Sequence, residues 1–186
     1  HLIGLMSDKN IHSDVNHCYE LMRIFSGKAN HIYLHLITDG RDCGSADSLK
    51  YLKTMNKNIQ NTQNCEIASV GGRVYAMDRD SNYDRVKLAV AAMFEDKSSI
   101  KQGEVERYLQ TQHKLGNTDE YVVPTHVQTE QPINLTDKDY LIFFNFREDR
   151  LREIVKTVAN MPAKIATMAD VATAKTDVLY HKNIVH

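Results

Sequence analysis

The sequence is poor in residues that staple a fold or anchor it in a bilayer. Its three cysteines, Cys18, Cys43 and Cys65, have no CxxC spacing and no even count. That leaves no disulfide framework or zinc knuckle and points to a reducing, cytoplasmic compartment, with all three read as packing residues. No apolar run approaches the ~20 residues of a membrane span, and no charged, apolar, small-residue succession makes a signal sequence. Neither sign of charge is in excess: 23 Lys and Arg face 24 Asp and Glu, a net charge of -1, so nothing suggests a sequence-independent grip on nucleic acid. A nucleophile beside a base, a Walker loop, a metal-ligand cluster, internal repeats and low-complexity tracts are also missing.

What remains, at 186 residues, is one ordinary domain, or at most two small ones, long enough to bury a core. Four apolar runs of strand length stand out: Leu2 to Met6, His31 to Ile37, Cys65 to Val70 and Tyr140 to Phe146. The last is nearly unbroken in its apolar and aromatic character, as a strand covered on both faces of a parallel sheet would be. Between the runs, apolar residues at helical spacing predict helices. One follows a cap at Ser13 or Asp14 and ends at Gly27; others span Ser45 to Ile59, Tyr83 to Phe94 and Gly103 to Leu115. Lys50, Lys53 and Lys57 fall on the solvated face of the second. The turn-rich stretch from Asn117 to Lys138, with Pro124 and Pro132, reads as a long excursion with a short edge strand around Tyr121 to Val123. Strands alternating with helices predict a three-layer α/β/α domain with a mainly parallel sheet.

Each strand-like run ends in a polar turn. The first leads to His12, the second to Arg41 and Asp42, the third to Arg73 and the fourth to Arg147 and Arg150. Because all carboxyl ends of a parallel sheet share one edge, these residues are expected at one ligand site. Arg147 and Arg150 precede Leu151, Ile154, Val155 and Val158 at helical spacing, which puts both guanidinium groups at a helix start. Cations are disfavoured there by about 0.3–1 kcal/mol each unless an anion sits between them. The alternative is that Glu148, Asp149 and Glu153 neutralise these arginines on a solvated face. Arg79, between Asp78 and Asp80, reads on its own as part of a surface charge network. Spacing and composition therefore reach a binding site for a small polyanion, since guanidinium groups suit phosphate and carboxylate alike.

The set Ser7-Asp8 with His12-Ser13, Asp39-Gly-Arg-Asp42, Gly72-Arg-Val-Tyr-Ala-Met-Asp-Arg-Asp80, Thr118-Asp-Glu-Tyr121 and Phe143-Phe-Asn-Phe-Arg-Glu-Asp-Arg150 resembles the cofactor-independent (2,3-bisphosphoglycerate-independent) phosphoglycerate mutases. The likeness runs from about Leu2 to Val158 and is to their inserted substrate-binding, or phosphotransferase, domain. It implies an isomerase of glycolysis that interconverts 3-phosphoglycerate and 2-phosphoglycerate through a phosphoserine on a separate phosphatase-like domain. Two manganese ions are implied in that other domain, and no cofactor or metal in this one. It implies substrate binding by His12, Arg41, Asp42, Arg73, Arg79, Arg147 and Arg150. Arg147 and Arg150 would hold the phosphoryl group, Arg73 and Arg79 the carboxylate, and Arg41 with Asp42 the hydroxyl end. His12 would be the catalytic proton shuttle or hydrogen-bond donor.

Lys9-Asn10 and Asp14 stand where that family usually has Gly-Gly and a second histidine. Asn adopts a left-handed conformation readily and Lys poorly, so the turn that aims His12 is expected to differ. The Pro-rich turn often found after Gly-Arg-Asp is missing too. A chain opening at His1 inside an apolar run is expected to be a piece of a larger two-domain enzyme, with residues 163–186 leading back to the phosphatase-like domain. Alone, it is expected to be a monomer that does not turn over, with no nucleic-acid or membrane partner. Two other functions remain open: a non-catalytic module binding a small phosphorylated acid, and a flavodoxin-like nucleotide binder.

Overall fold

A computed structural model describes residues 1–96 and 99–171 and the backbone of 176–178. Its centre is an eight-stranded sheet in the order β4-β5-β3-β2-β1-β6-β7-β8. The strands are β1 (Leu2–Met6), β2 (Ile32–Thr38), β3 (Cys65–Gly72), β4 (Ser99–Ile100), β5 (Thr125–Val127), β6 (Tyr140–Phe143), β7 (Lys164–Thr167) and β8 (Thr176–Val178). All run parallel except β5, which is antiparallel to β3, and β4, which follows β5. The expected architecture is thus found.

The helices are α1 (Val15–Phe25), α2 (Ser48–Gln60), α3 (Arg73–Ala76), α4 (Tyr83–Phe94), α5 (Val105–Lys114) and α6 (Arg152–Val158). They divide between the two faces, and strand alternation decides which core each meets. Leu2, Leu34 and Leu36 pack with Val15, Cys18 and Met22 of α1, Leu52 and Met55 of α2 and Leu109 of α5. Ile3, Leu5, Ile37 and Phe143 point the other way, to Val86 and Val90 of α4 and Ile154, Val155 and Val158 of α6. With both faces covered, every residue of β1 is buried. Each of these aliphatic side chains contributes about 1.5–3 kcal/mol through burial. Cys18 is buried, Cys43 and Cys65 are partly so, and all three are free thiols.

Three expected boundaries move. The ladder of β6 stops at Phe143, although Phe144 and Asn145 remain buried. There the chain turns inward, with the Asn145 side chain accepting from the Leu5 amide at 2.9 Å. The first turn after Arg147 is a tight 3-10 turn, Glu148–Arg150, and the α-helix begins only at Arg152. The two arginines therefore do not sit on an α-helix N-terminus. Tyr121 to Val123 is not a strand. Asp119–Tyr121 form a 3-10 turn and the strand follows Pro124.

The reason for the last difference is tertiary. The backbone around Asp119 to Val122 is spent on closing the carboxyl ends of β2 and β3. Thr38 Oγ1 donates to the Asp119 carbonyl at 2.6 Å, and the Gly72 amide to the Val122 carbonyl at 2.7 Å. Two glycines make the approach possible. Gly40 takes a φ of 66° against the Glu120 amide, and a Cβ on Gly72 would collide with the Glu120 carbonyl. Gly72→Ala is expected to cost about 2–3 kcal/mol. Gly103→Ala, where nothing lies within 4 Å, should be neutral or stabilising by up to about 1 kcal/mol. Urea denaturation of the two variants checks the contrast; equal effects would contradict the packing.

Candidate anion-binding site

Four adjacent strands, β3-β2-β1-β6, carry the site, and at one strand spacing each they cover about 14 Å of sheet edge. The chain winds from β1 through β2 to β3 on one side and returns to β6 on the other. The winding direction therefore reverses between β1 and β6, where a parallel sheet opens a crevice.

The loop after β1 is tied down at several points. Ser13 Oγ donates to the Leu5 carbonyl at 2.6 Å, the Val15 amide to Ser7 at 2.8 Å, and the Phe146 amide to the His12 carbonyl at 2.9 Å. Asp14 caps α1 through the Asn16 amide. Asn10 takes the left-handed conformation with φ of 55°, whereas Lys9 does not, so the turn closes with the strained position on the residue that tolerates it. His12 ends 5% exposed. Its Nε2 lies 3.7 Å from Asp42 Oδ2 and its Nδ1 is buried without a partner.

Arg73, on the first turn of α3, is 3% exposed. Its Nη1 donates to Asp39 Oδ1 at 2.5 Å and Asp42 Oδ2 at 2.6 Å. Burial opposes its charge, but the two carboxylates more than offset that and its pKa rises. Asp42 thus links Arg73 to His12. Arg147 Nε lies 2.8 Å from Asp149 Oδ1, and Arg79 Nη1 donates to Asp149 Oδ2 at 3.2 Å. Burial pushes the Asp149 carboxyl up, and Arg147 and Arg79 overcome this and hold it below the usual range. Arg41 Nη1 lies 3.6 Å from Glu120 Oε1.

Arg150 differs from these four. Its Nη1 donates to the Met77 carbonyl at 3.0 Å, and its Nε is buried without a partner. No carboxylate among the described residues forms an ion pair with it. Burial first, then Arg79, Arg73 and Arg41, lower its pKa. Four guanidinium groups therefore crowd one place. Arg41, Arg73, Arg79 and Arg150 line a single cleft of about 200 Å³ with Arg85, Asp78, Asp80, Glu120 and Tyr121. His12, Asp42 and Arg147 do not line it but adjoin it through Arg73 and Asp149.

The neutralising reading holds only in part. Glu148 is spent on exposed Arg152 at 2.7 Å. Glu153 is buried and turned to the Ser81 amide at 2.8 Å, where it braces the Asp78 to Asn82 turn that carries Arg79. Asp149 does neutralise, but it serves two arginines at once. Sequence reasoning missed Asp39 as the partner of Arg73, Glu120 and Arg85 as cleft residues, and Asp119 as a hub. Buried Asp119 accepts from the Ser48 amide at 2.7 Å and from Ser48 Oγ, and pairs with His113 Nε2 at 2.8 Å. Asp39 and Asp119 sit inside distinctive motifs, the one signal that could have flagged them. Among the described residues no group of three or more His, Cys, Asp and Glu side chains is placed to hold a metal ion.

The family profile described as BPG-independent PGAM N-terminus matches residues 1–181. The chain belongs to this BPG-independent phosphoglycerate mutase N-terminal family. Relatives named 2,3-bisphosphoglycerate-independent phosphoglycerate mutase include one from Helicobacter hepaticus, 41% identical over 86% of this chain and 32% of its own length. Another, from Clostridium kluyveri, is 37% identical over 85% of this chain and 31% of its own. A crystal structure of Leishmania mexicana phosphoglycerate mutase at low cobalt concentration aligns with a TM-score of 0.80 and 26% identity. It covers 90% of this chain and 35% of that one. The chain thus spans about a third of the length of the relatives it matches. It corresponds to the N-terminal domain of the family.

Burial first, then Arg73, lowers the pKa of His12 to about 4, with Arg147 adding to the effect against Asp42 and Asp149. A histidine depressed in the folded state lends stability that is present above its unfolded pKa near 6.5 and lost as pH falls through 4. The full loss is roughly 3 kcal/mol. His12→Gln should remove that part of the pH dependence, measured as unfolding free energy between pH 7 and 4. An imidazole titrating near 6.5 by NMR would contradict the buried, cation-flanked setting.

Proposed function

We propose that this chain is the substrate-handling domain of an isomerase that interconverts 3-phosphoglycerate and 2-phosphoglycerate. The observation that carries the reading is Arg150, a half-buried guanidinium that shares a cleft with Arg41, Arg73 and Arg79 and forms no ion pair with a carboxylate among the described residues. Such an arrangement is relieved by a multiply charged anion. A three-carbon acid with one phosphoryl group is small enough for a cleft of about 200 Å³.

In this reading Arg150, Arg147 and Arg79 hold the phosphoryl and carboxylate oxygens. Arg73 is anchored by Asp39 and Asp42, so its main task is to fix Asp42 beside His12. Neutral at pH 7, His12 accepts the proton of the glycerate hydroxyl as the new oxygen–phosphorus bond forms and the bond to the donor breaks, and Asp42 steadies the resulting imidazolium. The same imidazolium returns the proton in the reverse direction.

The phosphoryl-carrying serine and two manganese ions belong, on this proposal, to a phosphatase-like second domain. Five guanidinium groups line this cleft, and its carboxylates Asp78, Asp80 and Glu120 are not grouped to hold a cation, so its residues do not fit a metal. The ions would supply neutralisation of phosphoryl charge at the serine. Closure of the second domain over the carboxyl edge completes the site. A glycolytic role keeps the protein in the cytoplasm, where three free thiols stay reduced, and it needs neither nucleic acid nor membrane. Among the described residues no helix is long and apolar enough to cross a membrane. We take the working unit to be a monomer.

In a protein carrying both domains, Arg150→Met and Arg147→Ala should each lower kcat/KM for 3-phosphoglycerate by about 100-fold, near 3 kcal/mol of transition-state stabilisation. Arg23→Ala, whose guanidinium pairs with Glu20 on the surface of α1, should leave it unchanged. The 186-residue chain alone should bind 3-phosphoglycerate and release no 2-phosphoglycerate. Full activity in Arg150→Met would remove the proposal.

A further inference from the structure

The charges around the cleft are not spread evenly. At one end, Arg79 and Arg147 share a single carboxylate, Asp149, and Arg150 forms no ion pair among the described residues. At the other, Arg41 and Arg73 face three: Glu120, Asp39 and Asp42. One end therefore carries surplus positive charge and the other surplus negative charge. Of the two remaining acids that line the cleft, Asp78 is spent on the Asp80 and Asn82 amides and on Arg85 at 3.8 Å, and Asp80 is exposed at the rim.

Asp39 and Asp42 are already committed to Arg73. Among the described residues Glu120 pairs only with Arg41, at 3.6 Å, with Arg41 itself half exposed. Its backbone is nevertheless hemmed in on both sides. The Glu120 amide packs on Gly40 and its carbonyl on Gly72, and the preceding Asp119 is fixed by Ser48, His113 and Thr38. A fixed backbone presenting a loosely paired carboxylate to an anion cleft needs a reason. Charge neutralisation of Arg41 alone does not explain it, because an uncharged residue there would leave Arg41 free for the ligand.

We infer that Glu120 is a specificity-determining residue that admits an acid with one phosphoryl group and rejects the same acid with two. A ligand whose phosphoryl and carboxyl groups occupy the positive end turns its free hydroxyl, a donor, toward Glu120 and Asp42. A second phosphoryl group on that hydroxyl removes the donor and sets its negative charge against the two carboxylates, a like-charge contact that is repulsive. This inference rests on the proposed function, since it assumes that a phosphorylated three-carbon acid is the ligand.

The test compares the dissociation constants of 3-phosphoglycerate and 2,3-bisphosphoglycerate by calorimetry on the two-domain protein, with Glu120→Gln and Glu120→Asp alongside the parent. Glu120→Gln should shift the ratio about tenfold in favour of the bisphosphate, and Glu120→Asp, which keeps the charge, should stay within threefold of the parent. A ratio unchanged in Glu120→Gln, or both ligands weakened in parallel in both variants, overturns the inference while leaving the proposed function standing. Failure of the parent protein to bind 3-phosphoglycerate overturns both.

Discussion

The structure depends on a crowd of like charges that it does not fully compensate. Two guanidinium groups about 6 Å apart repel by a few kcal/mol in a medium of intermediate dielectric, and this cleft gathers five, Arg41, Arg73, Arg79, Arg85 and Arg150, with Arg147 adjoining. Asp39 and Asp42 serve Arg73, Asp149 serves Arg79 and Arg147, and Glu120 faces Arg41. Arg150 is left over. Its setting is tolerable because Met77 supplies a carbonyl and because part of the group reaches the open cleft. The site is thus built short of one anion.

Bringing cations together against their repulsion requires a scaffold that does not yield. The parallel sheet supplies it by placing four loop-bearing strands side by side and burying β1 on both faces. Asp119 and the paired glycines, Gly40 and Gly72, then fold the excursion after α5 back over the ends of β2 and β3. This brings Glu120 and Tyr121 to the cleft from a segment far from the arginines in sequence. The energy stored as repulsion at the site is small beside what the two cores contribute.

How much of this was legible in the sequence follows from range. The strands and helices rest on local periodicity, and the gathering of His12, Arg41, Asp42, Arg73 and Arg147 at one edge follows from parallel topology alone. Arg79, weak as a sequence signal between two aspartates, is joined to them by Asp149 of the 3-10 turn that follows β6. The 3-10 turn at Glu148–Arg150 escaped prediction because its local bond from the Leu151 amide to the Glu148 carbonyl leaves no mark on apolar spacing, and the non-strand conformation of Tyr121 to Val123 because hydrogen bonds from distant residues decide it. The same holds for the pairing of Arg73 with Asp39 and for the carboxylate of Glu120: a sequence gives charge but not which charge stands opposite.

The central claim is that Arg150 awaits the ligand's anionic group, and arginine side-chain NMR tests it most directly. In a ¹H–¹⁵N titration of the chain with 3-phosphoglycerate, the Arg150 Nε–H resonance should move most. Those of Arg79 and Arg147 should follow as Asp149 is relieved, and those of Arg23 and Arg107 should stay in place. An Arg150 resonance that stays still while the ligand binds, or shifts spread equally over all arginines, would contradict the account.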